Sequence, residues 1–187
     1  GTSTAPVEAV YSALGVTGVT GGNIAAVNAA IATLPPEATD SVAEVQAITD
    51  AMVGVLAGAT GTPSEPTLAD LTALGITGVT ADNLSAAQAA IAATGSTGAV
   101  DSIEELQAVV SGATDALDII AAYDGGNTAP TAADYIAAGV TGPFNLTVLN
   151  NAVASLESAA TNSLEEVQAI NQAVTSISIA AGIGSGV

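Results

Sequence analysis

Apolar residues return at helical spacing along the whole chain. They are clearest in three long stretches: Val42, Val45, Ile48, Met52 and Val55; Ile103, Leu106, Val109, Ala113 and Leu117; Leu164, Val167, Ile170, Val174 and Ile177. Steps of three and four place each set on one helix face. Each stretch opens on a Ser with Glu three residues later: Ser41 and Glu44, Ser102 and Glu105, Ser163 and Glu166. In such a capping box the hydroxyl accepts from a backbone N–H that the first helical turn leaves unpaired. The carboxylate reaches back to the cap's own N–H, so three helix starts are predicted here.

A shorter periodic segment precedes each long one, carried by Ile24, Val27 and Ile31 in one case and by Leu84, Ala87 and Ile91 in another. In the middle case it is predicted to begin near Thr80, with Asp82 adding negative charge where the helix dipole favours it. Pro35-Pro36 closes the first of these helices, and Gly95 and Gly98 lie in the loop after the second. A still shorter helix, predicted over 66–74 in the middle copy, starts at the Thr67/Asp70 pair. Thr131/Asp134 is its counterpart. Gly15, Gly75 and Gly139 stand where these helices end and a left-handed residue is favoured.

The three sets are copies of one unit about 60 residues long. Gly15-Val16-Thr17-Gly18 returns as Gly75-Ile76-Thr77-Gly78 and as Gly139-Val140-Thr141-Gly142. Asn23-Ile24, Asn83-Leu84 and Asn145-Leu146 follow in the same order, then Gln46, Gln107 and Gln168 after the Ser caps. Pro6, Pro66 and Pro130 open the copies. The expected architecture is all-α: three tandem three-helix bundles in an elongated array, covering 1–65, 66–129 and 130–187. A 60-residue bundle buries only about 60% of its unfolded surface, so stacking on neighbours is expected to help it. The linkers 58–65 and 124–129 hold too few apolar residues for a further domain.

Composition narrows the chemistry. The chain has no Lys, Arg, His, Cys or Trp against 18 acidic residues. Without cations, no patch can neutralise nucleic-acid phosphates or anionic lipid headgroups. Without His or Cys, imidazole bases, thiolates, disulfides and ordinary zinc sites are missing. A carboxylate pair or a hard-cation site is all that the remaining side chains offer. No run of 18 continuous apolar residues occurs, which argues against a membrane-spanning helix. Gly1-Thr2-Ser3 reads as an added leader, and the chain as an excised segment. Its negative charges repel one another and are expected to be relieved by salt or divalent ions, as in an ionic exterior.

The series Gly-[Ile/Val]-Thr, Asn-led helix, Ser-x-x-Glu-[Val/Leu]-Gln resembles the three-helix repeats strung in tandem in giant bacterial surface and adhesin proteins. The likeness runs from about 6 to 181. More distantly, Gly75-Ile76-Thr77 and Ile103-Glu104-Glu105-Leu106 are similar to the GA type of albumin-binding module. That likeness implies a left-handed three-helix bundle. The albumin-binding surface of that family uses basic and aromatic side chains, and this chain has no basic residue, so no binding residue is carried over. At Pro143-Phe144 the third copy departs, with a turn two residues shorter.

Several residues invite a sharper reading. Glu104-Glu105 and Glu165-Glu166 are carboxylate pairs, but neighbours on a helix point about 100° apart, so capping and solvation are expected. Asp124-Gly125-Gly126-Asn127 lacks the alternating ligands and distal Glu of an EF-hand and is read as a turn. The Gly15–Gly18 segment and its copies lack the Lys of a phosphate loop and the strand before it. Tyr11 and Leu71 occupy equivalent positions, which makes core packing the simpler reading of Tyr11, Tyr123 and Tyr135 than a ligand patch. Asn145-Leu146-Thr147 matches a glycosylation signal that Asn23 and Asn83 lack, whereas capping covers all three.

The function expected is thus non-catalytic: a structural extender, or stalk, of a large cell-surface adhesin, extracellular and secreted. The alternative is a GA-like module docking a host or matrix protein. No catalytic, cofactor-binding or metal residue is assigned, and no cofactor beyond weak calcium binding by the acidic surface. Expected partners are neighbouring repeats and an extracellular protein, with no nucleic acid and no membrane insertion.

Overall fold

A computed structural model describes residues 4–62 and 65–180. Gly1-Thr2-Ser3, part of the first linker and the last residues of the third copy therefore lie outside the described residues. Those described hold nine α-helices and no strand. They are α1 (Glu8–Leu14), α2 (Ile24–Thr33), α3 (Val42–Ala59), α4 (Leu68–Ala73), α5 (Leu84–Ala93), α6 (Ile103–Ala121), α7 (Ala132–Ala137), α8 (Leu146–Ala154) and α9 (Leu164–Ala180). A 3-10 turn precedes each long helix, at Pro36–Ala38, Thr97–Ala99 and Ser158–Ala160. The order short helix, middle helix, 3-10 turn, long helix thus occurs three times.

The local signals act where the sequence places them. Ser41 Oγ accepts from Glu44 N at 3.2 Å while Glu44 Oε2 accepts from Ser41 N at 3.0 Å. Ser102 and Ser163 accept likewise from Glu105 N at 3.3 Å and Glu166 N at 3.4 Å. Thr67 with Asp70 and Thr131 with Asp134 form complete capping boxes. At the ends of the short helices, Val16, Ile76 and Val140 donate to the carbonyls of Tyr11, Leu71 and Tyr135, each at 2.9 Å. The intervening Gly15, Gly75 and Gly139 are left-handed, with φ of 85°, 75° and 91°. This is a Schellman closure, and it turns the following aliphatic residue into the core.

The middle helix of the second copy begins later than expected, at Leu84 rather than near Thr80. In the second copy, Thr80 N donates to Asn83 Oδ1 at 2.7 Å and Asn83 N to Thr80 Oγ1 at 3.4 Å, which closes a turn on itself before α5 starts. The shorter third-copy turn leaves no room for it. Asn145 caps α8 directly there, accepting from Val148 N at 3.4 Å.

Two compact units emerge, and both draw on the middle copy: Gly1–Val79 with Ile91–Val109, and Thr80–Ala90 with Val110–Val187. In the first, α3 packs against α2 and against α4, and touches the Thr97–Ala99 turn. Its buried face carries Ile48, Ala51, Met52, Val55, Leu56 and Ala59. α3 is long and apolar enough to cross a membrane, with a mean hydropathy of 1.3. Glu44 and Asp50 interrupt it, however, and its Ile48, Met52 and Val55 are buried within the protein, as in a core helix. In the second unit α8 packs against α9. One cluster there joins Ala86 of α5, Ala113 and Leu117 of α6, Tyr135 of α7, Leu149 of α8 and Val167 of α9. The many buried alanines are what lets helix backbones approach closely.

Candidate functional site

The most regular polar arrangement recurs in all three copies. Gln46 Oε1 accepts from Thr17 N at 2.8 Å, and Gln46 Nε2 donates to Thr17 O at 3.1 Å. Gln107 holds Thr77 in the same way at 2.9 and 3.1 Å, and Gln168 holds Thr141 at 2.7 and 3.1 Å. Each amide satisfies both backbone groups of one turn residue, as a neighbouring strand would. This clamp ties the loop after the short helix to the long helix. Together with the helix-end bonds of Gly15, Gly75 and Gly139 and of the residue after each, it occupies three successive N–H groups of each Gly-x-Thr-Gly segment, and these segments are structural turns. The Gln was visible as a repeated letter in the sequence, but its partner lies in another helix and no local spacing reveals it.

The tyrosines are placed in the core. Tyr11 donates to Asn28 Oδ1, and Asn28 Nδ2 donates to Pro6 O at 3.0 Å. Tyr135 donates to Asn150 Oδ1 at 2.7 Å, and Asn150 Nδ2 to Pro130 O at 2.9 Å. The Tyr–Asn pair thus ties the proline that opens a copy to its middle helix. Leu71 replaces the tyrosine in the middle copy, and Gln88 replaces the asparagine. Burial raises the Tyr11 phenol above its usual range. Burial, then Tyr123 and Asp134, raise that of Tyr135 much further. Tyr123 packs at the edge of the same cluster as Tyr135, whose ring also lies 5.9 Å from that of Phe144.

Neither glutamate pair forms a dyad. Glu165 Oε2 accepts from Ser85 Oγ at 2.9 Å, whereas Glu166 Oε2 accepts from Ser163 N at 3.2 Å. Glu105 accepts from Ser102 Oγ at 2.8 Å. A hydrogen bond to Glu105 holds the Asp101 carboxyl above its usual range. The Ser41 hydroxyl, hydrogen-bonded to Glu44, holds that carboxyl below its own. The Asp124–Asn127 turn closes on itself: Asp124 Oδ1 accepts from Gly126 N at 2.8 Å, and Asn127 Nδ2 donates to Ala122 O at 2.8 Å. Among the described residues no three acidic side chains converge as metal ligands would.

One cleft of about 450 Å³ opens between the Thr141–Pro143 turn and α9. Gln168, Asn171, Gln172 and Thr175 line it, so its walls are amides and hydroxyls without a titratable group. Asn171 is buried and donates from Nδ2 to Thr141 O at 3.1 Å, but its Oδ1 meets no donor. Thr49 and Val110 stand at the equivalent positions of α3 and α6. Such a cleft can exchange hydrogen bonds with a neutral polar group and offers no general acid or base. Comparison with protein-family models, with curated proteins and with solved structures finds no match.

Proposed function

We propose that this chain is a non-catalytic extender, a stalk segment of a large bacterial cell-surface adhesin. Its copies at 1–65, 66–129 and 130–187 are three-helix bundles following one another in an elongated extracellular array. The observation that carries this reading is the threefold return of one helix order with the same Ser caps and the same Gln–Thr clamp. The repeated polar side chains serve helix starts and turns, which leaves a spacer's stiffness as their common product. The packing of α4 on α3 joins one copy to the next, as a spacer requires. Neighbouring repeats are the partners this role needs, and it needs no cofactor, nucleic acid or membrane insertion.

Small-angle scattering tests the reading. A long helix of about 20 residues spans about 30 Å, so three copies in line reach about 100 Å, with a radius of gyration near 30 Å. A compact particle of this length has a radius of gyration of about 16 Å. A value near the smaller figure contradicts the stalk.

A further inference from the structure

The third copy departs from the others at one place, in sequence and in structure together. In the first copy the residue after Gly18, Val19, is buried, whereas Pro143, which follows Gly142 in the shortened third-copy turn, is exposed. The long helix beneath the turn changes as well. A Cβ on Gly18 would lie 3.9 Å from Thr49 Cγ2, and one on Gly142 would lie 3.8 Å from Asn171 Nδ2. The same helix position therefore meets the turn in both copies. Thr49 satisfies its hydroxyl within its own helix, donating to Val45 O at 2.8 Å, and Val110 of the second copy has no polar atom to satisfy. Asn171 is 2% exposed, donates from Nδ2 to Thr141 O, and keeps a buried Oδ1 that no donor meets. An unpaired buried acceptor destabilises a fold, and an apolar residue at this position would avoid that cost.

The altered turn and this asparagine border one cleft, the volume of about 450 Å³ beside α9. It lies within the third copy and is no vacated joint between copies. Asp50 of the first copy, the counterpart of Gln172, is exposed although another copy follows it. We propose that the cleft binds a sugar, whose hydroxyl donates to Asn171 Oδ1. The walls select that class. No titratable side chain lines the cleft, so an anion finds no cation and a divalent metal finds none of its usual carboxylates. An apolar ligand would leave Oδ1 unpaired. A sugar instead brings several hydroxyls that donate and accept, to amides and hydroxyls that do both. The volume falls in the range of small-molecule clefts. Gln172 is exposed, and its side chain makes no hydrogen bond among the described residues, so it can turn aside as the sugar hydroxyl reaches the buried oxygen.

The inference goes beyond the stalk reading and does not depend on it, since binding within one copy leaves the length of an array unchanged. Titration of the isotope-labelled full chain with glucose, galactose and mannose in turn, followed by side-chain amide NMR, is the experiment. At least one of the three is expected to shift the Gln168 and Gln172 signals saturably. Half-saturation is expected below about 10 mM, as for a small ligand held by a few hydrogen bonds. Asn171→Val, which installs the second copy's residue, is expected to weaken that binding about tenfold or more. Circular dichroism checks that this variant keeps its helix content. Asn171→Thr, carrying the first copy's residue, repeats the test with the same expectation should the valine variant lose helix. The absence of a saturable shift with all three sugars overturns the proposal. So does a folded variant that binds like the native chain. Signals that move with acetamide and with none of the sugars overturn it too, because the cleft then takes an amide.

Discussion

Replacing Gln107 by Ala removes the one side chain that bonds both backbone groups of Thr77. Two hydrogen bonds worth about 1 kcal/mol each disappear, and water only partly replaces them at this exposed site. Gln107→Ala is therefore expected to cost about 1–2 kcal/mol in urea unfolding with an unchanged denaturant slope. No loss of stability would mean that the clamp is incidental. The carboxylates make a second prediction at this scale. Glu44 is held below the usual range, first by the Ser41 hydroxyl, so its contribution to stability is complete above that range and lost as pH falls through the folded value. Asp101 is held above its usual range by Glu105, so its contribution is present at low pH and lost as pH rises through the folded value. A carbon-detected NMR titration should find Glu44 titrating below the usual glutamate range and Asp101 above the usual aspartate range. Ser41→Ala should move Glu44 upward, and an unmoved midpoint would remove the hydroxyl as the cause.

The elements themselves end on glycines whose demands differ. At Gly15 an added Cβ meets nothing within 4 Å, so Gly15→Ala costs only the left-handed strain of about 1–2 kcal/mol. At Gly139 the same atom would lie 2.9 Å from Ala89 Cβ and 3.1 Å from Leu164 Cδ2. Gly139→Ala should therefore lower the unfolding midpoint clearly more than Gly15→Ala, and equal losses would show that the contact relaxes freely. Both glycines could be read from the sequence as helix ends, because that role depends on neighbours in the chain. The Ser and Thr caps were readable for the same reason, as was the all-helical class. What could not be read depends on partners far along the chain: the Gln–Thr clamp, the Tyr–Asn pair and the crowding at Gly139. The late start of α5 was missed because Thr80 and Asn83 bond to each other first, a local competition that periodicity does not register.

At the scale of the whole molecule, the first helix of the second copy, α4, lies on the last helix of the copy before it, α3. Repeat counting could place the copies, but the compact units draw on the middle copy in both cases, and no letter in the sequence announces that division. The reason is that α4 belongs by sequence to the second copy and by packing also to α3. Leu14 and Leu74 are the same residue type at equivalent positions of two copies, exposed in the one and buried in the other. Hydrogen exchange on Leu74→Ala tests the claim most directly. Emptying a buried leucine site costs about 2–5 kcal/mol. If the joint is real, the amides of α3 around Ala47 and Ile48, which lie beside the end of α4, lose protection about tenfold or more, although the substitution lies in the next copy. If α3 exchanges as before while only α4, α5 and α6 speed up, the copies fold separately and the account is contradicted.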